Sequence, residues 1–409
     1  MLKINNCGVL VIVTTVLMSF LSPTFAQTAD ETFKACLATL GERARDEGVD
    51  AGIVASVLKG TKRLERVIEL DRSQPEFTST FADYYLRRVT TQRVDQGRAL
   101  YEEHRSLLNR LQLEYGVPAH YLLSFWGLET NYGSYFGSMR TTDALATLAC
   151  DPRRTSFFTD QFISALKIVA SGDIELEQMR GSWAGAIGHV QFLPSIFLKY
   201  AVDGDGDGRR DLWGSIPDAL ASAANFLRSI GWQQDLRWGR EIHLPQKFDY
   251  SLAGRDQKRS LTEWVDLGVT DAYGGALSQL DISAAVLVPA GHRGPVFLVY
   301  DNFEVIMRWN RSEYYAISVG RLADRIAGSV ALTRDADPDS EKITLVEVTR
   351  LQQNLVLLGY EAGKADGMFG PATRRALSQF QQAKGMIADG HLSRRALQAV
   401  HQDTASLSN

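Results

Sequence analysis

Tyr121–Gly133 reads YLLSFWGLETNYG. From Tyr121 to Leu128 the only polar non-aromatic residue is Ser124. The stretch reads as an apolar helix. Glu129 then ends the apolar run, followed by Thr130 and Asn131. A carboxyl at the end of such a helix is partly desolvated, which disfavours its charged form. A proton donor working near neutral pH needs that environment. A helix-end glutamate that pairs with an arginine or caps a loop fits the same residues, and composition alone leaves both readings open.

Working outward, apolar residues recur at helical spacing through most of the chain from Thr28 to about Ala327. Phe33, Cys36, Leu37 and Leu40 share one face, as do Phe158, Phe162, Leu166 and Val169. Asp218 to Ile230 repeats the pattern before Gly231 stops it. Only Asp281–Val288 and Val296–Tyr300 suggest short strands. The polar run TRDADPDSEK, Thr333–Lys342, reads as a linker. Beyond it, Leu345 to about Val400 predicts three short helices, enough for a small autonomous unit. Proline stands at the first helical position of the second helix, Pro371.

The 409 residues leave room for two or three domains. With 45% hydrophobic and 22% charged residues and a net charge of −4, the chain is ordinary globular protein. It lacks the basic field expected of a nucleic-acid binder. Residues 1–26 carry Lys3, an apolar run Cys7–Phe20, and the small-residue site Thr24-Phe25-Ala26. That order predicts a cleaved secretory leader, with an uncleaved anchor as the alternative and no further membrane anchor evident. Cys36 and Cys150 then remain. An oxidising compartment permits a bridge between them, and two buried thiols fit equally well at this point.

Two further segments contain groups suited to a polyol ligand. Gly181–Ser195 reads GSWAGAIGHVQFLPS. Its small residues allow close backbone approach, Trp183 and Phe192 can stack on sugar faces, and Ser182, His189 and Gln191 can bond hydroxyls. A tight helix-packing turn has the same composition. Val299–Tyr315 reads VYDNFEVIMRWNRSEYY and supplies Tyr300, Asn302, Trp309, Asn310 and Tyr314. An amphipathic helix explains that stripe too.

A third segment, Asp203–Asp211, reads DGDGDGRRD. Asp203, Asp205, Asp207 and Asp211 occupy positions 1, 3, 5 and 9 of an EF-hand loop, with Gly208 at position 6 and the Arg209 carbonyl at position 7. Such hard oxygen ligands favour Ca2+, here as a structural ion, and an Asp/Gly surface turn without an ion fits the same residues. Position 12 is Gly214 instead of glutamate, and Asp218, four residues on, is the candidate to close a longer loop.

GLETNYG, SWAGAIGHVQF, DGDGDGRRDLW and NFEVIMRWN, in this order over Phe33 to Ile326, resemble the lytic murein transglycosylases of the membrane-bound B type. The resemblance implies a mainly α (α+β) fold: a lysozyme-like helical catalytic domain with a small β element and an EF-hand-like loop. It implies that Glu129 is the catalytic acid/base, cleaving the MurNAc-GlcNAc β-1,4 bond with 1,6-anhydromuramyl ends. Ser182 and Gln191 correspond to saccharide-binding residues. Tyr300, Asn302 and Asn310 correspond to the second wall of the groove, and His189 and Phe192 are further candidates for saccharide contact. Two departures stand out: His189 replaces a usual Gln, and Trp309 a frequent Tyr. Leu351 to Leu397, with Gln352, Asp366-Gly367, Gly370, Phe380 and Gln381, resembles the small peptidoglycan-binding domain of wall enzymes. The expected organisation is a leader at 1–26, a catalytic domain at 27–330, a linker at 331–344 and a binding domain at 345–402. Murein strands in the periplasm are the expected partner, with wall-synthesis proteins as further candidates. A lysozyme-type hydrolase and a non-catalytic murein-binding scaffold are the competing readings.

Overall fold

The computed structural model describes residues 24–73, 80–278, 280–336 and 343–407. The expected leader therefore lies almost wholly outside the described residues, as does most of the charged stretch of the linker. Among the described residues, no helix is long and apolar enough to cross a membrane.

The decisive stretch forms the helix Ala119–Thr130, with every residue buried except His120 and Glu129. It packs against the helix Glu313–Ile326, and Ser124 Oγ, with no water to bond, donates to the Val319 carbonyl at 2.6 Å. Phe125 and Trp126 are fully buried here; truncating such a ring costs roughly 3–5 kcal/mol. Around this axis lie further helices, including Thr24–Asp46, Thr141–Ala149, Thr155–Ala170 and Ile216–Ser229. Their inward residues form one continuous apolar core. Cys36, on the first of these helices, is joined by a disulfide to Cys150, which caps the Thr141–Ala149 helix. The bridge ties together elements 114 residues apart.

The β element is larger than the sequence suggests. Ser283–Leu287 and Val296–Val299 are strands as expected, but they sit inside a five-stranded antiparallel sheet. Its order is Arg259–Ser260, Ser283–Leu287, Val296–Val299, Gly239–His243, Thr270–Asp271. The two outermost strands are two residues long. Such short pieces carry no alternation to detect, and GREIH at Gly239–His243 has little of it.

The C-terminal unit consists of the helices Leu345–Leu357, Pro371–Ala383 and Arg394–Ser406 around Leu351, Leu355, Leu377, Phe380 and Val400. Two buried glutamines each clamp an Asp-Gly turn. Gln352 Oε1 accepts from Gly367 N (2.9 Å), and Gln381 Oε1 accepts from Gly390 N (2.8 Å). The unit is fastened to the sheet. His292 N donates to Asp389 Oδ2 (2.9 Å), and His292 Nδ1 lies 2.6 Å from the same oxygen. The linker begins by running along the sheet, where Thr333 N and Oγ1 bond the Glu241 carboxylate and Arg334 bonds the His292 carbonyl.

Candidate active site

Glu129 sits in the last turn of the central helix, partly exposed at the edge of the core. The chain then makes a sharp reversal. Asn131, Tyr132 and Gly133 have φ of 49°, 58° and 81°, three consecutive left-handed residues, two of them not glycine. Such residues cost roughly 1–2 kcal/mol each and persist only where neighbours over-determine them. Here Arg93 donates to Asn131 Oδ1 (3.1 and 3.2 Å), and Tyr132 Oη donates to the Arg93 carbonyl (2.8 Å). Gly127 is required beneath this turn, because a Cβ there would meet the Tyr132 ring at 2.7 Å.

The Glu129 carboxylate is held from across the molecule. Oε1 accepts from Trp309 Nε1 (2.9 Å) and from Tyr315 Oη (2.5 Å). Trp309 ends the helix Asp301–Trp309, and Tyr315 lies in the first turn of Glu313–Ile326. The indole is packed by Phe125, Phe192 and Phe226, at ring-centroid distances of 4.4, 5.4 and 5.2 Å. Burial pushes the Tyr315 phenol well above its ordinary pKa, and the adjacent Glu129 charge and hydrogen bond add to this. Tyr315 therefore stays a neutral donor at every physiological pH. Both donors are neutral, so they orient the carboxyl without placing an opposite charge beside it.

The remaining sequence candidates divide into two groups. Ser182, Gln191 and Asn310 keep some exposure. Ser182 Oγ accepts from Ala186 N (3.0 Å). Gln191 adopts φ 49°, and its amide nitrogen donates to the Phe136 and Gly188 carbonyls (3.2 and 3.0 Å). Asn310 caps the end of the Asp301–Trp309 helix and accepts from Ser312 N (3.1 Å). The other four are withdrawn into the protein. Asn302 is fully buried, its amide bonded to both the N–H and the carbonyl of Gln233 (each 2.8 Å). Tyr300 is buried in the sheet's core, and Phe192 packs on Trp309. His189 is 8% exposed, with Nδ1 accepting from Trp126 Nε1 (2.9 Å). Burial holds its pKa at about 4, so the ring is neutral. Its carbonyl accepts from Thr130 Oγ1 (2.8 Å), which fixes the turn after Glu129. These four side chains are buried and pack into the interior around the site. Tyr315 is the residue sequence reasoning passed over. It stands beside Tyr314 in the same aromatic stripe, and one-residue differences in helical phase are not legible without knowing the partner helix.

In the acidic loop, ligand atoms of Asp203, Asp205 and Asp218 lie within 4.8 Å of one another, with Asp218 buried. Asp207 and Asp211 are outside that trio. Asp211 Oδ1 accepts from Trp213 N and Gly214 N (2.9 and 2.8 Å). Asp207 Oδ1 accepts from Arg209 N (2.8 Å). Burial raises the Asp218 carboxyl above its ordinary pKa, although Gly204 N and Asp211 N both donate to it (2.7 Å each). Asp203, exposed and bonded by Gly208 N and Gly206 N, is held below the usual range.

The family model for the transglycosylase SLT domain matches residues 32–324, and the chain belongs to that family. A peptidoglycan-binding domain model matches 344–400. The chain is 39% identical to SltB3 from Pseudomonas aeruginosa, solved in complex with NAG-anhNAM-pentapeptide. That alignment covers 90% of this chain and 99% of the other, with a TM-score of 0.87. Membrane-bound lytic murein transglycosylase B of Escherichia coli (strain K12) is 29% identical over 295 residues, 68% of this chain and 79% of that protein. Escherichia coli Slt35, solved in complex with calcium, is 28% identical over 71% of this chain and 92% of its own, with a TM-score of 0.62. The protein is a lytic transglycosylase of peptidoglycan, with a mostly helical, lysozyme-like catalytic fold.

Proposed function

We propose that Glu129 is the single acid/base of the reaction and that it acts at the MurNAc-GlcNAc β-1,4 bond. The observation that carries this reading is the pair of neutral donors, Trp309 and Tyr315, converging on Oε1. With Oε1 committed to accepting two hydrogen bonds, the acid proton resides on Oε2. From there it passes to the leaving glycosidic oxygen as the bond to the anomeric carbon breaks. The N-acetyl group of the muramic acid supports the positive charge that develops. Glu129, now ionised, takes the proton from the sugar's 6-hydroxyl as that oxygen attacks the anomeric carbon. The result is a 1,6-anhydro ring and a restored carboxylic acid. An intramolecular nucleophile needs neither a second carboxylate nor a positioned water. Ser182, Gln191 and Asn310 are the side chains that contact the saccharide. The test is Glu129→Gln on purified sacculi, with soluble products weighed by mass spectrometry. Products roughly 18 Da lighter than hydrolytic ones, formed by the native chain alone, support the internal route. Fully hydrated reducing ends would make the enzyme a hydrolase.

The acidic loop is proposed to hold a structural Ca2+ through Asp203, Asp205 and Asp218, with Asp207, Asp211 and the Arg209 carbonyl completing the shell. The clustering of hard oxygen atoms supports this, as does the calcium bound by Slt35. The ion would brace the loop, and no step of the chemistry uses it. The periplasm is the proposed compartment. The Cys36–Cys150 disulfide is consistent with oxidising surroundings, and residues 1–26 would direct export.

A further inference from the structure

Arg93 stands half-buried in the first turn of the helix Thr91–Glu103. Its guanidinium joins three pieces of chain. Nε and Nη2 donate to Asn131 Oδ1, in the turn after Glu129. Nη1 donates to the carbonyls of Arg87 (3.3 Å) and Arg88, the last residues of the helix Phe81–Arg88. The Arg93 N–H is capped by Thr90 Oγ1 (3.2 Å), and its carbonyl accepts from Tyr132 Oη (2.8 Å). The acceptors of the guanidinium are neutral oxygens. Burial and the neighbouring Arg88 charge both lower its pKa. A cation kept in such surroundings serves geometry, because a guanidinium fork fixes several acceptors in one plane.

The two helices that Arg93 joins both touch the element that carries Tyr315. Phe81 and Tyr84, on the helix Phe81–Arg88, pack on the Tyr314 ring, at centroid distances of 5.6 and 6.4 Å. Arg98, on the helix Thr91–Glu103, donates to the Arg325 carbonyl (2.7 Å). At Gly97 an added Cβ would meet both Tyr132 Oη (2.5 Å) and Ile326 Cδ1 (2.7 Å), so the turn and the helix Glu313–Ile326 converge there. The contacts form a closed circuit. It runs from the Glu129 carboxylate to Tyr315, through Tyr314 to the helix Phe81–Arg88, and through Arg93 to Asn131, two residues beyond Glu129.

We propose that Arg93 is a positioning residue for the reaction: it closes this circuit and so sets where the end of the catalytic helix stands relative to the donors of the Glu129 carboxylate. The proposal rests on the reading of Glu129 as the acid/base. Asn131 and Tyr132 are non-glycine residues in left-handed backbone, which persists only while neighbours enforce it. Without the Arg93 fork the turn relaxes, and Glu129 shifts against Trp309 and Tyr315. A misplacement of about 1 Å costs on the order of 100-fold in rate. Lysine carries the same charge on a point donor and cannot span the amide and both carbonyls.

The experiment is steady-state kinetics of the full chain on soluble glycan strands, run well below the Tm of each variant. Arg93→Gln should lower kcat by roughly 10- to 100-fold and leave KM within about twofold of native. Arg93→Lys should fall nearly as far. Asn131→Gly accepts the left-handed backbone but removes the acceptor. It should reproduce the loss of kcat, and it reads the same contact if Arg93→Gln does not fold. Asn131→Asp keeps the acceptor and should retain most of kcat. Arg93→Gln with Asn131→Gly should cost no more than Arg93→Gln alone. Native kcat in folded Arg93→Gln or Asn131→Gly would overturn the proposal. So would full rescue by lysine, an additive double variant, or a rise in KM in place of a fall in kcat. Turnover by Glu129→Gln would sink the acid/base reading and this proposal with it. A silent Glu129→Gln beside a native-like Arg93→Gln would sink this proposal alone.

Discussion

Two sets of carboxylates in this molecule are held in opposite ways. Trp309 and Tyr315, which donate to the Glu129 carboxylate, lie 180 and 186 residues away in sequence. Asp203, Asp205, Asp207 and Asp218 are bonded mainly by backbone N–H groups of their own loop, no more than 14 residues away. The first arrangement exists only if the whole helical core closes. The second is written into the Asp-Gly alternation and forms wherever that loop forms. The difference separates a group that must be rigid and poised from one that must remain available to an ion: distant neutral donors orient a carboxyl, whereas local N–H groups hold several carboxylates close together.

The largest expected effect attacks the distant donors. Tyr315→Phe and Trp309→Phe together should lower kcat by roughly 100-fold, as loss of aimed donors does elsewhere, with muropeptide release as the readout. Unfolding on denaturant should stay cooperative. If kcat survives while stability falls, the two rings are only packing, and the contrast with the loop disappears.

The loop should respond in the opposite sense. At calcium concentrations near one hundred times Kd, the ion should stabilise the native chain by about 2.7 kcal/mol, read as a rise in Tm. Asp218→Asn should remove that rise and leave sugar cleavage at low temperature nearly unchanged. Should calcium change kcat itself, the loop and the catalytic site are not independent.

A smaller effect probes the turn after Glu129. His189 has a folded pKa of about 4 against an ordinary value of 6.5. Its neutral form therefore contributes stability that is fully present above pH 6.5 and is lost as pH falls through 4. The linkage is on the order of 2 kcal/mol once partial exposure is discounted. His189→Gln should flatten the fall of Tm across that window. An unchanged slope would assign the dependence to His120 and His391, whose pKa values burial also lowers to about 4.

Much of this was legible beforehand, for reasons specific to each element. The apolar run before Glu129 reads as a helix, and the alternation of Asp and Gly reads as an acidic loop. The outer strands, two residues each, carry no pattern, so the five-stranded sheet emerges from pairing alone. Asn302, Tyr300, Phe192 and His189 carry groups that suit a sugar, yet each is buried, because polar or aromatic chemistry does not reveal which way a side chain faces. Ser182, Gln191 and Asn310 remain partly exposed.

The sequence by itself determined the helical core, the glutamate that ends its central helix, the acidic loop and the three-helix unit beyond the linker. Each depends on residues close together in the chain, where periodicity and turn chemistry act. Only the tertiary structure decided that Trp309 and Tyr315 meet Glu129, that Cys36 meets Cys150, and that His292 of the sheet meets Asp389 of the C-terminal unit. Those pairings join residues more than one hundred positions apart or on separate units, and they are fixed by how faces pack, which no local pattern encodes.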